Sequence, residues 1–167
     1  MKKIRVLIVD DSVLMRSAIR NILESCDLFE IVGLACDGRE AVAKALDLKP
    51  DVITMDLKMP LLNGLEAIEE IMETNPIPII VVSSMDREVI IKTLTIGAMD
   101  FVAVNQEIDK ISEDLIEKVK ISARVKPLRR MKLRQFEIKK ETNIKEVHKV
   151  IGIGSSTGGP QALHELL

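Results

Sequence analysis

Ile4-Arg5-Val6-Leu7-Ile8-Val9-Asp10-Asp11-Ser12 is the stretch that decides the fold. Its first six residues are apolar almost without interruption, which marks a strand covered on both faces rather than one face open to water. The run then gives way to two aspartates and a serine. Helical spacing follows from Leu14 to about Ser25, with Leu14, Ile19, Ile22 and Leu23 expected on one apolar face and Asp11 or Ser12 available as N-cap.

The same alternation recurs along the chain. Ile31–Ala35 reads as a second strand and Glu40–Leu48 as a short helix, stopped by Pro50-Asp51. Val52–Met55 is the third strand, and Gly64–Thr74 the third helix, with Leu65, Ile68, Ile71 and Met72 as its apolar stripe. Pro76 and Pro78 mark a loop before strand Ile79–Val82; helix Glu88–Ile96 ends at Gly97. Phe101–Val104 and Ile111–Val125 complete the series. Five strand–helix units in about 125 residues predict an α/β domain with a doubly wound five-stranded parallel sheet. Such sheets bind ligands outside the carboxyl ends of their strands.

Composition narrows the function classes. Aromatic residues are 2% of the chain, three Phe with no Trp or Tyr, so the core rests on aliphatic side chains and the composition argues against base-stacking nucleic-acid recognition. The net charge of −2 conceals a division: residues 126–149 carry nine Lys/Arg against three Glu, or +6, leaving −8 elsewhere. Apolar runs such as Ile77–Val82 are far short of the ~20 residues of a membrane span, so no membrane insertion is expected. Cys26 and Cys36 fit no metal spacing and read as reduced thiols of a soluble, cytoplasmic protein.

Three segments are expected: a domain over 1–125, a basic linker over 126–149 with a helical stretch around Leu128–Ile138, and the opening of a second α/β domain over 150–167. In that last segment Val150–Ile153 has the character of a strand and Gln161–Leu167 that of a starting helix. One strand and two helical turns cannot bury a core alone.

Asp10 and Asp11 follow the first strand, Asp56 the third and Ser83 the fourth, so all four belong to one rim of the sheet. Three carboxylates brought together repel and raise the pKa of at least one unless a cation intervenes. Mg²⁺, a hard ion that takes oxygen ligands and leaves sites for phosphoryl oxygens, suits this set. A carboxylate beside it can act as nucleophile toward phosphorus. Helix capping alone accounts for Asp10-Asp11, but not for Asp56 followed by Met59-Pro60.

Val9-Asp10-Asp11-Ser12, Met55-Asp56-Leu57-Lys58-Met59-Pro60, Val82-Ser83-Ser84 and Gly97-Ala98-Met99-Asp100-Phe101 resemble the motifs of response-regulator receiver domains, which have a flavodoxin-like fold. The resemblance implies that Asp56 accepts phosphate from a histidine kinase. It also implies that Asp10, Asp11, Asp56 and the backbone carbonyl of Lys58 hold Mg²⁺, that Ser83 contacts the phosphoryl group, and that Phe101 occupies an aromatic switch position. Phe101 also reads as an ordinary core ring, and Lys58 as a solvated lysine. One departure stands out: receivers usually carry Lys-Pro after the fifth strand, and this chain has Val104-Asn105. Loss of that ammonium should weaken switching more than metal binding.

Gly154-Ser155-Ser156-Thr157-Gly158 fits a strand–turn–helix elbow that exposes a serine, although glycine- and serine-rich turns also bind phosphate or simply turn. A receiver, a basic linker and Ile151-Gly152-Ile153-Gly154-Ser155-Ser156-Thr157-Gly158-Gly159-Pro160 together resemble the chemotaxis protein-glutamate methylesterases. In that family a receiver restrains a serine hydrolase acting on chemoreceptor glutamates and glutamines. The resemblance implies a chemotaxis histidine kinase and the cytoplasmic region of a chemoreceptor as partners, and Ser156 as the nucleophile position. His148 and His164 do not match the family's general base, so the chain as it stands is expected to lack esterase activity. A stand-alone receiver acting by protein contact is the alternative. A DNA-binding regulator is disfavoured because no helix-turn-helix follows the basic segment, and no nucleic acid is expected as partner. The basic segment reads as a solvated hinge, or as one docking on an acidic surface or a receptor tail.

Overall fold

The computed structural model describes residues 2–84, 87–104 and 108–127. Its elements alternate throughout: β1 (Ile4–Val9), α1 (Val13–Glu24), β2 (Phe29–Ala35), α2 (Gly38–Leu48), β3 (Val52–Met55), α3 (Gly64–Thr74), β4 (Ile79–Ser83), α4 (Arg87–Ile96), β5 (Asp100–Ala103) and α5 (Ile108–Ser122). All strand pairs are parallel, in the order β2-β1-β3-β4-β5. This is the doubly wound, flavodoxin-like arrangement expected from the sequence. The order reverses between β1 and β3, which is where the carboxyl-end crevice opens.

The period-two alternation of the strands divides the core into two layers. Leu7, Val9, Ile53, Met55, Ile79 and Val81 face one side with Ala41 and Ala45 of α2 and Ile68, Ile71 and Met72 of α3. Val6, Ile8, Val52, Ile80, Val82 and Val102 face the other with Ile19 and Leu23 of α1 and Leu115 and Val119 of α5. Fully burying each such aliphatic side chain contributes about 1.5–3 kcal/mol, so continuous apolar strands are what two covered faces require.

Several boundaries differ from the expectation for identifiable reasons. Leu14 is 83% exposed and does not belong to the apolar face of α1, which Ile19 and Leu23 carry. Ser12 is the N-cap, its hydroxyl accepting from the Met15 amide at 3.3 Å. β2 begins at Phe29, two residues early, because the chain already pairs Ile4 with Phe29 and the Ile4 amide donates to Leu28. α2 begins at Gly38 because Asp37 caps it, accepting from the Glu40 amide at 2.9 Å. β5 covers Asp100–Ala103, so Val104 falls in the turn beyond it. α5 ends at Ser122, where the Val125 amide turns back to the Ser122 carbonyl ahead of Pro127.

The basic segment from residue 128, the expected strand Val150–Ile153, Ser156, His148, His164 and Gln161–Leu167 lie outside the described residues. Among the described residues, no helix is long and apolar enough to cross a membrane.

Candidate functional site

Parallel register brings three strand ends level. Val9 pairs with Met55 and Met55 with Val81, so the residues just beyond β1 and β3 stand side by side at the carboxyl edge. Asp10 follows β1 and is only 4% exposed. Its Oδ1 accepts from the Ser12 amide at 2.8 Å, while Arg16 Nη1 donates to its backbone carbonyl at 2.5 Å. Asp11 is exposed beside it. Asp56 follows β3, half-buried, and its amide donates to the Val9 carbonyl at 2.9 Å, tying the two strand ends together. Its carboxylate accepts from the Lys58 amide at 3.1 Å, and Ser83, the last residue of β4, ends its strand at the same edge.

One carboxylate oxygen from each of Asp10, Asp11 and Asp56 lies within 4.8 Å of the others. Burial pushes Asp10 up to about 6, with the charges of Asp56 and Asp11 adding and the Ser12 amide and Arg16 opposing. Burial also raises Asp56, against the hydrogen bonds from Leu57, Ser83 and Lys58, and Asp11 raises it further. Desolvation is therefore the larger cause and mutual repulsion the smaller. A set of oxygen donors whose charges are unfavourable without a counterion suits a hard divalent cation, and Mg²⁺ fits it.

The loop after β3 keeps Asp56 in place through backbone packing. A Cβ on Gly64 would run into the Asp56 carbonyl oxygen and stand 2.7 Å from Leu57 Cα. Only glycine allows the start of α3 to lie so close, and its amide donates to Leu57 at 3.1 Å. The helix itself is secured by a capping box between Asn63 and Glu66.

Lys58 is exposed, with its amide turned to Asp56. Phe101 is half-buried against the core layer of α2 and α3. Val104 packs against the opposite layer and its amide reaches the Ser83 carbonyl at 3.3 Å, so the turn after β5 brings an aliphatic group rather than a cation to this edge. A second cluster, Cys36, Asp37 and Glu40, was not singled out from the sequence. Its members serve the start of α2: Asp37 caps it, and Glu40 accepts from the Cys36 amide and pairs with Lys44 at 2.6 Å. The Asp37-x-x-Glu40 spacing signals that cap in the sequence.

The family profile for the response regulator receiver domain matches residues 6–116. The chain belongs to this family. The receiver is 44% identical over 186 residues to protein-glutamate methylesterase/protein-glutamine glutaminase 2 of Carboxydothermus hydrogenoformans, covering 100% of this chain and 52% of that protein. It is 43% identical to the corresponding protein of Methanococcoides burtonii, covering 98% of this chain and 50% of that one. Among solved structures, the response regulator domain of Thermotoga maritima CheB superposes with a TM-score of 0.72 at 42% identity, over 75% of this chain and 100% of that one. A CheX–CheY–BeF3–Mg complex from Borrelia burgdorferi gives 0.62 at 30% identity, over 68% of this chain and 87% of its counterpart. The chain is thus a receiver of the CheB family, and it spans about half the length of the curated relatives it matches.

Proposed function

We propose that residues 1–125 are the phosphorylatable regulatory domain of a chemotaxis methylesterase, with Asp56 as the phosphate acceptor. The observation that carries this reading is the convergence of Asp10, Asp11 and Asp56 within 4.8 Å, at the switch point of a receiver fold. Asp10, Asp11, Asp56 and the Lys58 carbonyl would hold Mg²⁺. When bound, that ion neutralises charge on the phosphoryl oxygens. An Asp56 oxygen forms a bond to phosphorus as the nitrogen–phosphorus bond of a kinase phosphohistidine breaks, and the departing imidazole takes its proton from water. The Lys58 amide orients the attacking carboxylate. Ser83, at the end of β4 on the same edge, would donate to the phosphoryl group.

The partners on this reading are a chemotaxis histidine kinase and the cytoplasmic part of a chemoreceptor, met in the cytoplasm. Residues 126–149 form the linker, and residues 150–167 open the catalytic domain, with Ser156 at its nucleophile position. The methylesterase relatives, aligned over nearly the whole chain, support this attachment over a stand-alone receiver. Phe101 is the switch ring, and Val104, lacking an ammonium group, leaves the phosphorylated state weakly coupled to it.

Incubation with Mg²⁺ and acetyl phosphate should give one acid-labile phosphoryl adduct by mass spectrometry, absent from Asp56→Asn and from samples treated with chelator. An adduct that survives Asp56→Asn would sink the assignment.

A further inference from the structure

A five-stranded open sheet has two rows of outward backbone groups, one along β2 and one along β5. The N–H and C=O of one strand residue point to the same side, and successive residues alternate. Ala35 faces inward, since its carbonyl accepts from the Asp10 amide at 3.1 Å. Its neighbours Leu34 and Cys36 therefore face outward. Lys44 of α2 donates to the Leu34 carbonyl at 2.5 Å, and Glu40 accepts from the Cys36 amide at 2.7 Å. Lys44 and Glu40 pair with each other at 2.6 Å. The register slips by one residue between Ile31 and Gly33, a bulge that twists this edge, and the ion pair covers the regular stretch beyond it.

β5 is guarded in the same way by different residues. Val104, just past the strand, sends its amide to the Ser83 carbonyl at 3.3 Å, so the alternation turns Phe101 outward. The Phe101 amide donates to Asp100 Oδ1 at 2.8 Å, and its carbonyl accepts from Lys118 of α5 at 2.5 Å. Lys118 lies 3.5 Å from Asp100 and 3.0 Å from Asp114. Both groups that an antiparallel strand would exchange with Phe101 are thereby taken. Support for the start of α2 accounts for Glu40 alone. It does not account for Lys44 reaching a strand, nor for Asp100 and Lys118, neither of which stands at a helix start.

We infer that the Lys44–Glu40 and Lys118–Asp100 pairs are clasps over the two edge strands, which keep a second copy of this chain from adding its own edge to the sheet. Each clasp occupies backbone donors and acceptors, and each sets charges there that must lose water before another strand can approach. Like edges of two copies pair about a twofold axis, which closes at a dimer. A copy with both edges open can pair on each side and so continue without end. None of this depends on how Asp56 is used.

The test follows the mass of the full chain by sedimentation over a range of concentrations, for the parent, Lys44→Met, Lys118→Met and the double variant. Methionine keeps an unbranched aliphatic stem and removes the ammonium. Each single variant should double the parent's mass as concentration rises, and the double variant should go on to larger assemblies. Hydrogen exchange should locate the new contact, slowing the β2 amides in Lys44→Met and the β5 amides in Lys118→Met. Thermal melts separate association from loss of fold. If the methionine variants melt out, Lys44→Ala and Lys118→Ala, with the better helix former, carry the same measurement. Folded variants that keep the parent's mass at every concentration refute the clasps. So do variants that associate while β2 and β5 exchange as in the parent.

Discussion

Among the described residues, Asp10 carries the clearest electrostatic strain. Its folded pKa, about 6, lies above the ordinary 3.8, so the folded protein favours the protonated form. The contribution of Asp10 to metal-free stability is therefore most favourable below about pH 4, falls as pH rises toward 6 and is level above that. Asp10→Asn removes the penalty: urea unfolding of the metal-free protein at pH 7 should show a gain of roughly 1–3 kcal/mol, vanishing at pH 4. Saturating Mg²⁺ should reverse the ranking, since it stabilises the parent and finds one fewer carboxylate in the variant. A variant no more stable than the parent at pH 7 without metal would show that burial of this charge is harmless.

At the scale of elements, the loop between β3 and α3 depends on Gly64 more than on any side-chain contact. Gly64→Ala forces a methyl group against the Asp56 carbonyl and Leu57, and either the loop or the helix start must give way. A loss of about 1–3 kcal/mol is expected, as for other overpacked sites. It should appear as a lower urea midpoint with unchanged slope, together with slower phosphorylation by acetyl phosphate. Unchanged phosphorylation would mean that the loop absorbs the methyl group away from Asp56. The caps of α2 and α3 are side-chain devices, by contrast, and are separate from this backbone contact.

Across the whole sheet, β1, β3 and β4 are flanked on both sides by other strands and covered by both core layers, while β2 and β5 are edges. Their amides should exchange with deuterium last, in step with global unfolding, and those of β5 and α4 earlier. Exchange in β5 as slow as in β3 would contradict this ranking and imply that α5 holds the edge as firmly as a strand would.

Much of this was legible in the residues because the relevant forces act locally. Continuous aliphatic runs such as Val6–Val9 and Ile79–Val82 specify strands hidden on both faces, whatever their neighbours are, and their alternation with helical spacing fixes the parallel class. Motif order alone placed Asp10, Asp11, Asp56 and Ser83 on one edge. What required the folded chain were quantities set by distant neighbours. The exposure of Leu14, the larger part played by burial in raising Asp10, the nearness of Gly64 to the Asp56 carbonyl and the reach of Lys118 across β5 all depend on which surfaces meet. Local spacing records what a residue can do, whereas desolvation and long-range contact arise only when segments remote in sequence exclude water together.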